Sequence, residues 1–513
     1  MLIALSEQVN SMNEKMDLLT EQLNVFTNNQ FGRQTEKLSV LDETLGPFFN
    51  EAEILVAEAT EEELREPTGE DIKPRENTPH PKGKRDKLLA ELEQKDVLHE
   101  LKDDELVCKS CGGKLVPIGK EKTQRLVFQP SAFVLENHYV YSYKCQDCGT
   151  IISADRPLTL FEGSLATPSL ISGISTAKFV NAMPFDRMSR NFRDLDVIIH
   201  RQTMARWVIR VAEDFFSLLY ERMKEELQEN SIIHADETTV VISKDGRKAG
   251  AKSYMWVYTD ENSNHPVVIY EYQKTRAAKH PKAFLEYYHG WLCCDGYEGY
   301  HGLNESVTVC GCWVHCRRYF MDAAKAIKDL PHRSGEMTIA EEAIKRIAEM
   351  FHLDNGWKDL SYDERSELRK TELSEKMNDF FEWAESVKGQ VPPKSKTGKG
   401  ITYALNQKKY LLNVLSNPDV PLDNSKAERK IRNFVVSRKN FVLIDSLAGA
   451  EASAIMFSMA ETLKANGLKA HEYFKYVLTE MPKYMGKNFK DPSFVDDFLP
   501  WSDKLPPEVR KTV

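Results

Sequence analysis

The first forty residues carry apolar side chains at alternating spacings of three and four. The apolar positions are Leu2, Leu5, Val9, Met12, Met16, Leu19, Leu23 and Phe26. A heptad seam of this kind predicts a coiled coil over residues 1–41, through which the chain would form a homodimer or a higher oligomer. The alternative is a single amphipathic helix that packs on the next domain.

Periodicity is absent from residues 42–105, which are predicted to form a linker whose charge changes from acidic to basic. Glutamates crowd its first half, and prolines and a basic cluster follow at Lys82, Lys84, Arg85 and Lys87. A segment with high charge and few aromatic residues buries too little apolar surface to fold, so we expect disorder. The basic cluster is either a solvated charge run or a loose contact to phosphates.

Two Cys-x-x-Cys pairs flank a segment rich in β-branched and aromatic residues within residues 106–150. The pairs are Cys108 with Cys111 and Cys145 with Cys148. Four thiolates at this spacing predict a structural Zn²⁺ site of the ribbon type. A closed four-cysteine site has no open coordination position, so no catalysis is assigned to it. The alternative is four unrelated buried cysteines.

The pattern then changes to helical spacing across residues 151–230. Helices are predicted between residues 168 and 228, with new starts at Pro184 and His200. Short helices with a basic face suit a helix-turn-helix reader of DNA, whereas the alternative is an ordinary helical connector. The side chains predicted to contact DNA are Arg187, Arg190, Arg193, Arg201 and Arg206.

From residue 231 the apolar pattern shortens to the alternation that is typical of strands. The predicted order is three meandering strands, a helix, a strand, a helical turn, a further strand and a helix. This is the order of an RNase H-like sheet, in which the first and fourth strands are neighbours. Asp236 lies on the first strand and Asp295 follows the fourth, so their carboxylates are expected to meet.

A third acid, Glu428, lies in LDNSKAERKIRNF, which predicts a helix capped by Asp423 or Asn424. Carboxylate ligands suit Mg²⁺ or Mn²⁺, and two such ions about 3.5–4 Å apart cleave phosphodiesters by in-line displacement. The basic neighbours of this acid are predicted to contact DNA phosphates: Arg429, Lys430 and Arg432.

Several further motifs occur in order along nearly the whole chain. They are FGRQTEK (31–37), HADET (234–238), CDGYEGY (294–300), GCWVHCRRYF (311–320), DNSKAERKIR (423–432) and FLPW (498–501). With the two cysteine pairs, they resemble the insertion-sequence-66 family of bacterial DDE transposases. The resemblance implies that Asp236, Asp295 and Glu428 are the catalytic triad and that a mostly helical insertion splits the catalytic domain. It also implies small accessory proteins encoded by the same element. One departure from the family pattern is Cys316, where a small residue is expected.

These patterns together predict a multidomain α+β chain. Its segments are the coiled coil (1–41), the linker (42–105), the zinc ribbon (106–150), the helical DNA-binding region (151–230), the first part of an RNase H-like α/β catalytic core (231–335), a helical insertion (336–415) with a loop at VPPKSKTGKG, the second part of the core (416–465) and a C-terminal helical tail (466–513).

For three smaller features, a structural interpretation is favoured over a functional one. A second zinc site is one interpretation of Cys310, Cys312, His315 and Cys316. No partner pair accompanies them, so buried packing is favoured. His234, on the same strand face as Asp236, is interpreted as a core-edge histidine rather than a group that orients water. The spacing at Gly398 and Lys399 is not that of a phosphate-binding loop, which excludes nucleotide hydrolysis.

Composition changes this picture little. The chain is 41% hydrophobic with a net charge of −9, and no apolar run approaches the roughly 20 residues that cross a bilayer. Without an export signal, its nine cysteines are expected to be free or metal-bound. A cytoplasmic, nucleoid-associated protein with DNA rather than membrane as its partner is therefore predicted.

The favoured function is a transposase. The alternatives are a hydrolytic nuclease of the same fold and an inactive zinc and helix-turn-helix DNA-binding protein.

Overall fold

The structure, a computed structural model, describes nine stretches of the chain. They are residues 133–139, 141–144, 151–153, 159–248, 250–260, 264–327, 337–441, 443–484 and 492–511. The predicted coiled coil, the linker and the four cysteines of the predicted zinc ribbon lie outside these residues. Those three predictions therefore stay predictions as far as the structure is concerned.

A short antiparallel hairpin precedes the main body of the fold. Strand β1 (Ser142–Lys144) pairs with β2 (Ile151–Ser153), and Tyr143 lies opposite Ile152. The sequence between the two strands contains the second Cys-x-x-Cys pair. Only β1 touches the β-rich segment predicted between the two cysteine pairs, since β2 follows the second pair and residues 133–139 form no strand.

Helices follow between residues 168 and 228, as predicted. They are α1 (Pro168–Ser175), α2 (Phe185–Arg193), α3 (Arg201–Val211) and α4 (Ser217–Gln228). The hydroxyl of Thr167 caps α1 by accepting from the backbone N–H of Leu170, and Pro168 occupies the first turn, where its missing N–H costs nothing. Single π-helical turns continue α1 and connect α3 to α4.

One mixed sheet forms the centre of the fold. Its strands are β3 (Ile232–Lys244), β4 (Lys252–Asp260), β5 (Val268–Gln273), β6 (Gly290–Cys294), β7 (Val307–Gly311) and β8 (Ile444–Ser446). The order is β5-β4-β3-β6-β7, with β8 beside the far end of β3. Strand β4 runs antiparallel to its neighbours, whereas β6, β7 and β8 run parallel to β3. A short helix, α5 (Lys279–Phe284), connects β5 to β6. The predicted pairing of the first and fourth strands of the sheet is confirmed, since His234 lies opposite Cys293.

Two hydrophobic cores are built on this sheet. One contains Cys294 with the helices before and after the sheet, and the other contains Cys293 with the helices between β7 and β8. Adjacent residues of a strand point to opposite faces, which is why these two neighbouring cysteines of β6 lie in different cores.

Helix α6 (Trp313–Ile327) follows β7 within the first part of the predicted catalytic core. Further helices fill the predicted insertion: α7 (Ile339–Gly356), α8 (Tyr362–Leu368), α9 (Ser374–Val387) and α10 (Lys396–Leu412), with a π-helical turn between α8 and α9. Arg369 is buried in this turn and forms an ion pair with Asp354 at 2.7 Å. The same guanidinium donates to the carbonyls of Val414, Asn417 and Val420. One buried arginine therefore connects the inserted helices to the chain that returns to the sheet.

The predicted loop at residues 391–400 is wrong in its second half, because α10 already begins at Lys396. Ser395 caps the helix by accepting from the backbone N–H of Gly398. A Cβ atom at Gly398 would lie 2.1 Å from the carbonyl oxygen of Pro392, and one at Gly400 would lie 2.8 Å from the ring of Phe320. The glycines therefore serve close packing of a helix, although they favour a loop when only the local sequence is considered.

The chain ends with α11 (Ser425–Phe441), α12 (Leu447–Ala465) and α13 (Ala470–Glu480), followed by short 3₁₀ turns. Helix α12 covers the edge strand β5. Thr462 accepts from the backbone N–H of Val268, and Ser458 accepts from that of Tyr270. These hydroxyls satisfy edge groups that would otherwise be open to another strand. Among the described residues, no helix combines the length and the apolar character needed to cross a membrane.

Candidate active site

Two aspartates meet where β3 and β6 run side by side. His234 lies opposite Cys293, and Asp236 and Asp295 each follow two residues later, so the two aspartates lie at the same level of the sheet. Asp236 accepts from the backbone N–H of Glu237, and Asp295 accepts from that of Tyr297 at 2.9 Å. The second bond fixes the carboxylate in the turn directly after β6.

The third predicted acid, Glu428, lies in the first turn of α11. Its Oε2 atom accepts a hydrogen bond from Arg318 at 3.0 Å, and its Oε1 atom lies 3.5 Å from Nδ1 of His315. Both partners belong to α6. Glu428 is therefore oriented by a helix that begins at the end of β7.

Asn424 connects α11 to the sheet. Its side chain is fully buried, donates to the carbonyl of Ala235 at 2.8 Å and accepts from Nδ1–H of His234 at 3.0 Å. Its backbone N–H donates to the sulfur of Cys312 at 3.2 Å. The start of α11 is thereby held beside the part of β3 that carries Asp236. His234 is 1% exposed, which confirms that it is a core histidine.

Asp236 lies close enough to the other two predicted acids for their charges to act on it. Burial raises the pKa of Asp236 well above its ordinary value, and the charges of Glu237, Asp295 and Glu428 raise it further. Like charges in a partly buried site disfavour ionisation unless a cation compensates them. The structure therefore brings together Asp236, Asp295 and Glu428 in a cluster that a bound cation would stabilise.

The donor set fits a hard divalent cation. All three side chains offer carboxylate oxygens, the ligands that Mg²⁺ and Mn²⁺ prefer. The Oε1 atom of Glu428 is buried and accepts no hydrogen bond from the described residues. A buried, charged oxygen of this kind is costly unless it binds a cation or a donor.

Sequence reasoning missed an ion pair beside the acids. Arg276 donates from Nε to Glu237 at 2.6 Å, and Glu237 also accepts from the hydroxyl of Tyr300 at 2.7 Å. The guanidinium lies 3.8 Å above the ring of Tyr297, and its nearest nitrogen is 3.9 Å from Asp295. The Glu237 side chain is 1% exposed whereas that of Arg276 is 40% exposed. The other four residues lie in the HADET and CDGYEGY motifs, but no local pattern marks Arg276 itself.

The loop that carries Asp295 packs against the inserted helices. A Cβ atom at Gly296 would lie 2.6 Å from the ring of Tyr403, so only glycine allows this approach. Gln407 of α10 donates to the carbonyl of Gly296 at 3.4 Å. The inserted helices therefore support one of the three acids directly.

Cysteines near α6 are buried. Cys310 and Cys316 lie in the core that faces the inserted helices, as the packing interpretation predicts. Cys312 differs, because its sulfur, a ring nitrogen of His315 and a carboxylate oxygen of Glu428 all lie within 4.8 Å of one another. Glu428 is a third ligand that local sequence spacing does not indicate.

Basic residues predicted to contact DNA lie at two places. The five arginines of α2 and α3 are exposed, although Asp186 pairs with Arg190 and Arg201. On α11, Arg429 and Arg432 are exposed. Lys430 instead lies 3.7 Å from Glu461, and burial lowers its pKa. Its ammonium group therefore points to another part of the fold.

Comparisons with known proteins cover most of the chain. Residues 163–452 match the family described as Transposase IS66 family, residues 105–149 match the zinc-finger binding domain of transposase IS66, and residues 18–97 match Transposase C of IS166 homeodomain.

Among similar proteins of Sinorhizobium fredii, the uncharacterized protein y4qI is 27% identical in an alignment of 512 residues that covers 96% of this chain and 90% of y4qI. The uncharacterized protein y4hP is 25% identical in an alignment of 388 residues that covers 73% of this chain and 70% of y4hP.

Proposed function

Because this chain belongs to the IS66 family of transposases, we propose that it cuts DNA at element ends and joins those ends to target DNA, with Asp236, Asp295 and Glu428 as its catalytic acids. One observation carries this proposal: three carboxylates from β3, the end of β6 and α11 converge in one electrostatically coupled cluster. The zinc-finger match supports a structural zinc in addition.

The sheet is proposed to be an RNase H-like core. Three antiparallel strands followed by two parallel strands, in the order β5-β4-β3-β6-β7, support this assignment. The first acid lies on the central strand and the second directly after its parallel neighbour. The third comes from a helix that packs on the same strand after a helical insertion.

The three acids are proposed to hold two Mg²⁺ or Mn²⁺ ions, which would supply charge stabilisation to both the attacking and the leaving oxygen of an in-line displacement. The residues of this chain then orient the ligands. Arg318 fixes one oxygen of Glu428, and Asn424 fixes the start of α11 on β3. The turn after β6 fixes Asp295 through the backbone N–H of Tyr297.

The proposed reaction has two steps at one site. In the first, a water oxygen attacks the scissile phosphate, the bond to the 3′ oxygen breaks, and a free 3′-hydroxyl results. In the second, this hydroxyl attacks a phosphate of target DNA and displaces a new 3′ oxygen. The first step replaces a P–O3′ bond by a P–O bond to the water oxygen and leaves a 5′-phosphate. The second replaces one P–O3′ bond by another. Neither step needs a covalent protein–DNA intermediate.

DNA is proposed to lie along the basic surfaces near the acids. Arg429 and Arg432 project from the helix that carries Glu428, which suits phosphate contacts close to the scissile bond. The exposed arginines of α2 and α3 are proposed to bind DNA further from the cut. The match of residues 18–97 supports self-association through the N-terminal segment, and the accessory proteins that the family resemblance implies belong to the same proposal.

The test is a strand-cleavage and joining assay on labelled DNA that carries the sequences flanking the gene, with Mg²⁺ or Mn²⁺. Wild type is compared with Asp295→Asn and with Asp445→Asn, a matched control at an exposed aspartate of β8 that pairs with Lys244. We expect metal-dependent joined products from wild type and from the control. Loss of a metal ligand should remove them from Asp295→Asn while DNA binding persists.

Other outcomes would contradict parts of the proposal. Cleavage without joining would replace the transposase by a hydrolytic nuclease of the same fold. Equal activity of Asp295→Asn and wild type would exclude this acid from the chemistry. DNA binding without either reaction, even with proteins encoded beside the gene added, would leave a DNA-binding protein only.

A further inference from the structure

One cluster near the proposed catalytic acids has a chemistry that those acids lack. Cys312 directly precedes α6, His315 lies in the first turn of α6, and Glu428 lies in the first turn of α11. One sulfur, one imidazole nitrogen and one carboxylate oxygen lie within 4.8 Å of one another. Contacts of His315 and Arg318 on α6 with Glu428 on α11 bring the three together.

Two backbone donors face the sulfur of Cys312. The backbone N–H of Asn424 donates to Sγ at 3.2 Å, and the backbone N–H of His315 donates to it as well. Burial and the charges of Asp423 and Glu428 nevertheless raise the pKa of this thiol, and the two hydrogen bonds only oppose that rise. Cysteine binds metals as thiolate, so a metal ion that binds here displaces the thiol proton.

The two other atoms are positioned as ligands of one ion. Nδ1 of His315 and Oε1 of Glu428 are 3.5 Å apart, both are buried, and neither has a hydrogen-bond partner among the described residues. Two ligands that each lie about 2.0–2.1 Å from one tetrahedral Zn²⁺ are about 3.3–3.4 Å apart. The observed separation needs little adjustment to accept such an ion.

The ligand set selects the class of metal. A thiolate, an imidazole and a carboxylate suit Zn²⁺ and similar borderline-soft ions, whereas Mg²⁺ prefers oxygen ligands. Three protein ligands leave one coordination position open, unlike a closed four-cysteine site. The cluster therefore differs in both chemistry and geometry from the predicted ribbon and from the three acids.

Glu428 cannot serve both kinds of metal equally. Its Oε2 atom is engaged by Arg318 at 3.0 Å, so Oε1 is the oxygen that faces a cation. A Zn²⁺ ion on Oε1 would occupy the atom that the catalytic ions need. Binding of the two kinds of metal is then mutually exclusive at this side chain.

We propose that Cys312, His315 and Glu428 form a Zn²⁺ site, and that Zn²⁺ bound there inhibits strand cleavage by removing Glu428 from the catalytic acids. The existence of the site follows from the cluster itself. The inhibition rests on the proposed function of Glu428.

The first test measures binding without activity. Full-length protein is titrated with Co²⁺, whose bond to a thiolate gives a charge-transfer absorption, and its zinc content is measured after dialysis. Cys312→Ser is compared with Cys316→Ser, a cysteine one helical turn later that is equally buried but outside the cluster. The four ribbon cysteines are the same in both variants, so their contribution cancels.

We expect Cys312→Ser to bind one metal equivalent less than both Cys316→Ser and wild type. His315→Gln, which keeps the sulfur, should lose the same equivalent and thereby separates loss of a ligand from misfolding. Equal metal content and equal Co²⁺ spectra in all the proteins would overturn the site.

The second test measures inhibition. Cleavage in saturating Mg²⁺ is followed as free Zn²⁺ is raised, with each variant compared with its own zinc-free rate. The zinc concentration that halves the rate should be the same for wild type and Cys316→Ser and at least about tenfold higher for Cys312→Ser, since loss of one ligand weakens binding at least that much. Equal midpoints would overturn the inhibition. If no protein cleaves DNA, the proposed function fails together with the inhibition, and the Co²⁺ titration decides whether the site exists.

Discussion

At the scale of single residues, Asn424 shows how one side chain assembles the site. The sequence predicts that Asp423 or Asn424 caps α11. Asp423 does accept from the backbone N–H of Ser425 at 2.7 Å, whereas the amide of Asn424 extends to His234 and Ala235 on β3. A buried polar side chain needs partners for its donors and acceptors, and here those partners lie on the strand that carries Asp236. Local capping and long-range positioning are therefore divided between adjacent residues.

Arg276 is expected to act on developing negative charge at the scissile phosphate. Arg276→Gln should slow cleavage by about 10²–10³-fold, the usual cost of losing one positioned donor. It should also lower the free energy of unfolding by about 3 kcal/mol, because Glu237 would be left buried without its counter-charge. Single-turnover cleavage and urea unfolding measure the two effects.

A double variant separates these roles. Arg276→Gln combined with Glu237→Gln removes both charges, so stability should return while cleavage stays slow. Recovery of the rate in the double variant would show that Arg276 serves only as a counter-charge. Arg346→Gln, which breaks an ion pair with Glu342 on α7, is the matched control and should leave the rate unchanged.

At the scale of elements, β5 is an edge strand that helix α12 covers. The same strand carries a largely buried acid, Glu271. Hydroxyls of α12 satisfy its backbone N–H groups at Val268 and Tyr270. Glu271, the next residue, is largely buried near α4, and this burial raises its pKa to about 7. Lys224 of α4 opposes that rise, and Glu221 adds to it. The edge of β5 is therefore protected from pairing with another strand, whereas the stability of the fold around Glu271 depends on pH.

Glu271→Gln should remove a pH-dependent loss of stability. The pKa is raised from 4.5 to about 7 in the folded chain, so the unfolded chain ionises first and stability falls as pH rises through this interval. At pH 8 the variant should exceed wild type by up to about 3 kcal/mol, since a tenfold change in acid strength is worth about 1.4 kcal/mol. At pH 4 the two should be nearly equal. Urea unfolding across this pH range checks the prediction, with Glu229→Gln, an exposed glutamate directly after α4, as control. Parallel curves for Glu271→Gln and wild type would refute it.

At the scale of the whole molecule, charged side chains are distributed unevenly, so the net charge does not describe the charge of any one surface. The chain has a net charge of −9, yet exposed arginines lie on α2, α3 and α11, and a cluster of four acids lies at the site: Asp236, Glu237, Asp295 and Glu428. The inserted helices form one core with a face of the sheet and also contact the loop that carries Asp295. Stability of the fold and assembly of the site are therefore linked through the same contacts.

Divalent metal should stabilise the molecule through the three acids. Mn²⁺ at about 100 times its Kd adds about 2.7 kcal/mol to a protein that binds it only when folded, which raises the Tm by several degrees. Asp236→Asn should raise the Tm of the metal-free protein by about 2–4 °C, because it removes a buried charge from among other carboxylates, and should abolish the increase with metal.

The gap between the metal-free proteins also depends on pH. Folding raises the pKa of Asp236, so the cost of its charge is absent below its ordinary value and grows as pH rises above about 4. The advantage of Asp236→Asn should therefore widen with pH. Asp445→Asn should behave as wild type, and a metal-dependent rise in Tm that survives in Asp236→Asn would contradict the assignment. Thermal melts in buffers of equal ionic strength, with EDTA or Mn²⁺, measure both effects.

The sequence by itself determined the main elements and predicted that three acids lie close together, because the elements and the motifs that carry the acids are encoded locally. Alternating and helical spacings of apolar residues report which side of an element is buried, so the strands from β3 to β7 and most helix starts could be predicted. Each acid lies in a short motif at the end or start of such an element. The order of the elements then sufficed to predict that the first and fourth strands of the sheet are neighbours.

Only the tertiary structure decided which distant residues share a contact. The pairing of Arg276 with Glu237, the bond from Asn424 to His234 across 190 positions, and the approach of Glu428 to Cys312 and His315 have no local signature. Gly398 and Gly400 illustrate the same limit, since their local preference for a loop is overridden by close packing in α10. The physical reason is that periodicity reports burial, whereas the partner that a buried or polar group meets depends on how separate elements pack.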